Sequence, residues 1–259
     1  MDAVPDAAAC NEAVKLAQKK GFAALKGFVN GVLRNIARSK AEIVYTSMSV
    51  RYSMPQWIVD LWTAQLGADT AETVLAGLLK EQPVTIRFRD VSRSTGIDMG
   101  TAVSAVHKAL SAQGGTMERH PYLPYAYRVS GTDDLTRLPY YGNGAFVVQD
   151  VSSMLAVEAI GIADYVGRMG LNGRRNKARV LDLCAAQGGK SMLAADLLEK
   201  CGVDYEILSR DVSANKVGLM QENFDRCGLK NITAGVGDAV QMDETLVGMV
   251  DIVIADVPC

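Results

Sequence analysis

Several scarcities in this sequence exclude whole classes of protein. The five cysteines are an odd number and contain no Cys-X-X-Cys pair, which argues against a disulfide framework and a zinc site. No apolar run approaches the roughly 20 residues that a membrane span requires. The N-terminus has no basic-then-apolar leader. The sequence therefore predicts a reduced, cytoplasmic protein with no metal site and no membrane partner.

A large excess of charge of one sign is also lacking. The net charge is -2 and the sequence pI is near 5.8, so no global basic field marks the chain as a nucleic-acid binder. Any RNA contact must use local patches. A chain of 259 residues that is 49% hydrophobic can bury a substantial core, and its length indicates more than one domain.

The first half of the chain contains helical and strand patterns of several kinds. Residues 12–40 keep helical spacing with an apolar face too wide for a lone helix, so we expect a partner bundle and a truncated N-terminus. A stripe that begins at Trp57 is predicted to be core. Residues 84–89 alternate as a half-buried strand, on which Arg87 and Arg89 share a face that either contacts phosphate or is solvated. A helix over 100–113 and a connector over 120–141 follow.

The second half alternates strands and helices. The pattern predicts a helix that ends at Ala159 and then the following elements in order: strand 179–183, helix 190–200, strand 205–210, helix 213–227, strand 231–236 and strand 250–255. Such alternation favours an α/β fold with a doubly wound parallel sheet. Its ligands lie at the carboxyl ends of the strands.

The connection between the first strand and helix of this half indicates a cofactor loop. Gly188 and Gly189 remove side chains where the strand becomes a helix, so backbone amides can approach a ligand and the helix N-terminus can favour a carboxylate. This suits the methionine end of S-adenosylmethionine (SAM). A phosphate-binding Walker loop would need glycine at Cys184, and GxGxxG is absent. A P-loop nucleotide-binding protein remains the weaker alternative.

Acidic residues end three further strands. Asp211 follows the second strand, at the position where an acidic residue accepts hydrogen bonds from ribose hydroxyls in nucleoside-binding α/β folds. The alternative is that its negative charge stabilises the N-terminus of the next helix. Asp238 follows the third strand, where it is predicted to contact the adenine amino group. Its local sequence by itself indicates only an aspartate in a turn. Asp256 follows the last strand, at the rim where substrate meets cofactor. These positions predict the rest of a SAM site.

The sequence ends in Asp256-Val257-Pro258-Cys259, which discriminates between methyl-transfer chemistries. Amino-group methyltransferases usually have an aromatic residue after this proline. Cysteine suits enzymes that activate a pyrimidine ring carbon, because C5 of cytosine is a poor nucleophile until a thiolate adds to C6. Cys259 is therefore the candidate catalytic residue.

These motifs together resemble the RNA cytosine-5 methyltransferases. The segments that carry the resemblance are Leu181–Lys190, Asp211–Lys216, Gly237–Ala239 and Asp256–Cys259, with Gln149-Asp150 and Ser152-Ser153 upstream. The resemblance implies a SAM loop formed by Cys184, Ala185, Ala186, Gln187, Gly188, Gly189 and Lys190. It also implies that Asp211, Asp238 and Asp256 complete the cofactor site.

The chain departs from the family pattern at two points. Gln187 stands where the family has proline, which loosens the turn. The family's nucleophilic cysteine lies in a later Thr-Cys motif that this sequence does not contain. By that resemblance Cys259 assists product release rather than attacking the base.

The resemblance completes the predicted organisation and function. Residues 1–42 are expected to be a remnant of a helical RNA-binding bundle, residues 43–140 a small α+β RNA-recognition domain, and residues 141–259 the first half of a SAM-dependent methyltransferase domain with an incomplete Rossmann-like sheet. The expected reaction is methylation of cytosine C5 in small-subunit ribosomal RNA. We expect the chain to be a monomer that is inactive alone. A noncatalytic RNA- or SAM-binding fragment is the alternative.

Overall fold

The computed structural model describes residues 4–42, 44–80, 83–132, 134–169 and 177–257. The chain forms two compact units, Met1–Glu81 and Gln82–Cys259. The predicted domain boundaries after residues 42 and 140 remain predictions.

The first unit is helical. Its helices are α1 (Asp6–Lys19), α2 (Lys26–Ser39), α3 (Met48–Arg51), α4 (Gln56–Leu66) and α5 (Ala68–Leu78). The single helix predicted over 12–40 is wrong, because Gly21 takes a left-handed φ of 88° and the chain turns back between α1 and α2.

The helical unit buries less of its apolar surface than its pattern predicts. Phe28 on α2 is 70% exposed, and Trp57 on α4 is 67% exposed. The prediction that Trp57 belongs to the core is therefore wrong. Val59 lies two residues further on, and so on a different face of α4, and it packs instead with Tyr52 and Leu75.

The second unit begins with an antiparallel sheet. Its elements are β1 (Val84–Phe88), α6 (Ser92–Thr95), α7 (Met99–Ala112), β2 (Thr116–Arg119), β3 (Ala126–Ser130) and β4 (Phe146–Val148), with strand order β2-β3-β1-β4. Helix α7 packs on the sheet through residues spaced four apart, namely Ala102, Val106 and Leu110. The predicted connector over 120–141 is wrong in part, because β3 lies inside it and pairs with both β1 and β2.

Strand β1 is covered on both faces. Arg87 is 1% exposed and Arg89 is 4% exposed, and both form ion pairs with Asp196. The two predictions for these arginines, a phosphate contact and solvated charge, are therefore both wrong. Alternation showed correctly that the two side chains share a face, but that face is covered by another element of the same unit.

The rest of the second unit contains a parallel sheet. Its elements are α8 (Val151–Glu158), α9 (Ile162–Met169), β5 (Lys177–Asp182), α10 (Gly189–Lys200), β6 (Asp204–Asp211), α11 (Ala214–Arg226), β7 (Ile232–Val236) and β8 (Ile252–Ile254). The strand order is β7-β6-β5-β8 and all pairs are parallel. The predicted strands and helices lie within two residues of these bounds. Within the described ranges, no helix is long and apolar enough to cross a membrane.

Candidate SAM site

The parallel sheet brings most of the predicted site to one edge. The loop 184–190 joins β5 to α10, Asp211 ends β6, Asp238 follows β7, and Asp256 follows β8. Because the strands are parallel, all four lie at or just beyond the carboxyl ends of their strands, on one edge of the sheet. Cys259 lies outside the described residues.

Hydrogen bonds hold the loop 184–190 between its neighbours. The N–H of Leu183 donates to the carbonyl of Ile254 at 3.0 Å, and the N–H of Ala185 donates to the carbonyl of Arg210 at 2.8 Å. These bonds tie the start of the loop to the strands on both sides of β5. The amide of Asn223 on α11 donates to the carbonyl of Gln187 at 3.3 Å. The position that departs from the family's proline is thus anchored by a side chain of the next helix.

Gly188 allows the backbone to pass close to α11. Its φ is 90°, and a Cβ at this position would lie 2.6 Å from Cε1 of Phe224 and 3.2 Å from Cγ of Met220. Both the left-handed conformation and the close approach require glycine. The helix α10 begins immediately afterwards, so the N–H groups of its first turn, which have no intrahelical partners, point to the carboxyl edge of the sheet.

Sequence reasoning missed one residue of this site, Asp182. Its side chain is completely buried at the end of β5, where Oδ2 accepts a hydrogen bond from the Ser191 hydroxyl at 2.8 Å. The Ser209 hydroxyl donates in turn to Ser191 Oγ at 2.7 Å. Burial raises the pKa of Asp182 to about 6, against the opposing effects of Ser191 and the Lys190 ammonium. An acidic residue at the end of an apolar strand, directly before the loop, was the available signal.

Asp211 accepts a hydrogen bond from the residue that precedes the helix after its strand. It is 6% exposed, and its Oδ1 accepts the N–H of Ser213 at 3.0 Å. Its other oxygen, Oδ2, has no hydrogen-bond donor among the described residues. Ser213 precedes α11, so this bond does not cap the helix, and one carboxylate oxygen of Asp211 stays available to a ligand.

The half-buried Cys184 thiol lies near several of the acidic groups. Burial raises its pKa, and the negative charges of Asp211, Asp182 and Asp256 raise it further. The loop therefore places this thiol near two of the three predicted cofactor carboxylates. A thiol with a raised pKa is a poor nucleophile, because the thiolate is the reactive form.

Lys190 and Asp256 form an ion pair across the carboxyl edge. Their Nζ and Oδ2 atoms are 2.5 Å apart, and the Lys190 side chain is largely buried whereas that of Asp256 is exposed. This contact joins the start of α10 to the segment after β8. It brings Asp256, which precedes Cys259 by three residues, to the end of the loop 184–190.

The structure does not bring Asp238 into contact with the other predicted residues. Asp238 is exposed, and its Oδ1 accepts the N–H of Val240 at 3.1 Å, which is the turn role that its local sequence indicates. It lines a cavity of about 300 Å³ together with Leu181, Leu183 and Arg210. Side chains of a strand alternate between faces, so Leu181 and Arg210 lie on the sheet face opposite Asp182 and Asp211. That cavity does not include the loop 184–190.

Comparison with known proteins shows what this arrangement resembles. Residues 169–259 match the family model described as 16S rRNA methyltransferase RsmB/F, and residues 1–38 match the NusB family. A probable ribosomal RNA small subunit methyltransferase B from Bacillus subtilis (strain 168) is 29% identical over 268 residues, which cover 100% of this chain and 54% of that protein. The chain is thus similar to ribosomal RNA small subunit methyltransferases. It spans about half the length of the curated relatives that it matches.

Solved structures confirm the fold. The structure titled "Crystal Structure of PH0851" has a TM-score of 0.70 at 19% identity and covers 95% of this chain and 51% of its own. That of NSun6 from Pyrococcus horikoshii with SFG has a TM-score of 0.55 at 17% identity and covers 79% and 71%. The predicted SAM-dependent methyltransferase fold and the family resemblance are confirmed. The family whose model residues 169–259 match is one of SAM-dependent methyltransferases, and this match disfavours the alternative of a P-loop nucleotide-binding protein.

Proposed function

We propose that this chain carries the SAM-binding half of an enzyme that methylates C5 of cytosine in small-subunit ribosomal RNA. The observation that carries the proposal is the meeting of the glycine loop, Asp211 and the Lys190–Asp256 ion pair at the carboxyl edge of one parallel sheet. The relatives' names support ribosomal RNA as substrate. The cysteine that follows Asp256 supports cytosine C5 as the acceptor.

The residues present fit SAM at two points. The free Oδ2 of Asp211 can accept hydrogen bonds from ribose hydroxyls. The first-turn N–H groups of α10, reached over a backbone without side chains at 188 and 189, can donate to the methionine carboxylate. When bound, SAM supplies an electrophilic methyl group. We assign Cys184, Ala185, Ala186, Gln187, Gly188, Gly189 and Lys190 to the methionine end of the cofactor.

The two remaining carboxylates and the cysteine have different proposed roles. Asp238 is assigned to the adenine amino group, and Asp256 is held at the substrate rim by Lys190. Cys259 is assigned to the end of the reaction, where the C5 proton leaves and the bond between C6 and the attacking thiolate breaks. The attacking thiolate comes from a Thr-Cys motif, which is not in the printed sequence.

We further propose that the substrate is RNA, that the enzyme acts in the cytoplasm and that the chain is a monomer. The 259 residues by themselves are expected to bind SAM without methylating RNA. Incorporation of labelled methyl groups into ribosomal RNA by this chain would contradict the assignment of the nucleophile to another motif.

The cofactor assignment is tested at Asp211. Asp211→Asn keeps an oxygen that accepts the N–H of Ser213 but replaces Oδ2 by a donor, so it separates the bond to Ser213 from the ribose role. We expect SAM binding to weaken by roughly 1 to 3 kcal/mol in titration calorimetry, with unfolding by urea little changed. Asp211→Ala should lose both the hydrogen bond to Ser213 and the acceptor for the ribose hydroxyls. Equal SAM affinity for wild type and Asp211→Asn refutes the placement, and displacement of SAM by ATP would favour the nucleotide-binding alternative.

A further inference from the structure

A buried charge cluster connects the antiparallel sheet to the helix that begins at the cofactor loop. Arg87 on β1 and Arg89 just after it both form ion pairs with Asp196 on α10; Arg89 Nη2 lies 2.8 Å from Asp196 Oδ1. Burial alone would raise the pKa of Asp196, but the two guanidinium groups outweigh it and lower that pKa. The carboxylate is therefore ionised, and it ties α10 to β1.

The side chain of Gln149 completes the cluster. Gln149 follows β4 and is 6% exposed, and its Oε1 accepts a hydrogen bond from Arg87 Nε at 2.8 Å. Its Nε2 is buried and has no hydrogen-bond partner among the described residues. The orientation of this amide therefore depends on the guanidinium of Arg87.

The same amide packs against the cofactor loop. A Cβ on Gly189 would lie 3.3 Å from Cδ and 3.4 Å from Nε2 of Gln149, which is tighter than ordinary side-chain contact. Gly189 and Asp196 are two helical turns apart and so share one face of α10. Arg87 thus holds the helix at one point directly, through Asp196, and at its first residue indirectly, through Gln149.

We propose that Arg87 and Gln149 are positioning residues for SAM. The guanidinium orients the amide, the amide sets the position of the Gly189 backbone, and that position determines how well the first turn of α10 meets the cofactor. Affinity for SAM is therefore controlled in part from a strand of the antiparallel sheet. The inference rests on the proposed SAM site.

Matched arginine substitutions test the first link. Arg87→Lys keeps a cation beside Asp196 but loses the fork that orients Gln149. Arg89→Lys makes the same change where the side chain contacts Asp196 and the carbonyls of Gly144 and Cys227, but not Gln149. Both should lower the urea midpoint. Only Arg87→Lys should weaken SAM binding in titration calorimetry, by about tenfold or more, because small misplacements of binding groups have large effects.

A double-mutant cycle tests the second link. Gly189→Ala puts a methyl group against the Gln149 amide, which Arg87 holds in place. In the double variant with Gln149→Ala that amide is absent, so the added methyl group has no such neighbour. We expect the loss of SAM affinity caused by Gly189→Ala to be at least about fivefold smaller in the Gln149→Ala background, which is within the usual range for residues in contact. If Gln149→Ala does not fold, the cycle is run with Arg87→Lys, which frees the amide to move.

The outcomes separate the inference from the proposed function. Additive effects in the cycle, or equal loss of SAM affinity in the two lysine variants, overturn the positioning role while the SAM site stands. Absence of SAM binding by the wild-type chain overturns the SAM site and the positioning role together.

Discussion

Gly188 offers a sharp test of how the cofactor loop is built. A Cβ at Gly188 would lie 2.6 Å from Cε1 of Phe224, and Phe224 and Met220 are both completely buried, so neither side chain can move into solvent. Gly202, at the other end of α10, also has a left-handed φ of 71° but has no heavy atom within 4 Å of the same added carbon. Replacing each glycine by alanine therefore separates backbone strain from collision.

The expected magnitudes follow from these two terms. Gly202→Ala introduces only the left-handed conformation of a residue with a Cβ, which destabilises by roughly 1 to 2 kcal/mol. Gly188→Ala adds an overpacking term of roughly 1 to 3 kcal/mol. We therefore expect Gly188→Ala to lower the free energy of unfolding by roughly 2 to 5 kcal/mol in total.

Urea-induced unfolding followed by circular dichroism measures the difference between these variants. Gly188→Ala should unfold at a clearly lower urea concentration than Gly202→Ala, and it should also weaken SAM binding. Equal losses of stability in the two variants would show that the loop relaxes away from α11, and would refute the argument that close packing on Phe224 fixes its path.

Two further predictions concern buried charges. A raised carboxyl pKa means that the folded state binds the proton more tightly, so the contribution of Asp182 to stability should fall as pH rises from the ordinary Asp value of 3.8 to the Asp182 pKa of about 6. That fall is about 3 kcal/mol at ~1.4 kcal/mol per pKa unit. Asp182→Asn should lack it, which urea titrations of both proteins at pH 4 and 7 measure. If the unfolding free energies of wild type and variant change in parallel with pH, the burial of Asp182 is contradicted. Asp196→Ala leaves Arg87 and Arg89 buried without their carboxylate and should destabilise by about 3 to 5 kcal/mol. Glu206→Ala, which removes an exposed partner of Lys177 and Arg179, should change stability by less than about 1 kcal/mol, and a similar effect of both changes would show that the buried pairing is weak.

The sequence by itself determined the elements of the parallel sheet and most of the candidate site. Each of these depends on a local signal: apolar runs of strand length, glycines 188 and 189 at the turn into a helix, and acidic residues directly after three strands. Once the strands are parallel and adjacent, their carboxyl ends must lie at one edge. The meeting of the loop 184–190 with Asp211 and Asp256 therefore followed without any knowledge of long-range contacts.

Only the tertiary structure decided what covers each face. Alternation put Arg87 and Arg89 on one side of a strand, but the residue that neutralises them, Asp196, is more than a hundred positions away along the chain. Trp57 has the same apolar character as Val59, yet it is Val59 that meets Leu75. Periodicity records which side chains point the same way. It contains no information about which other segment packs there, because that depends on the free energy of burying all faces of the unit at once.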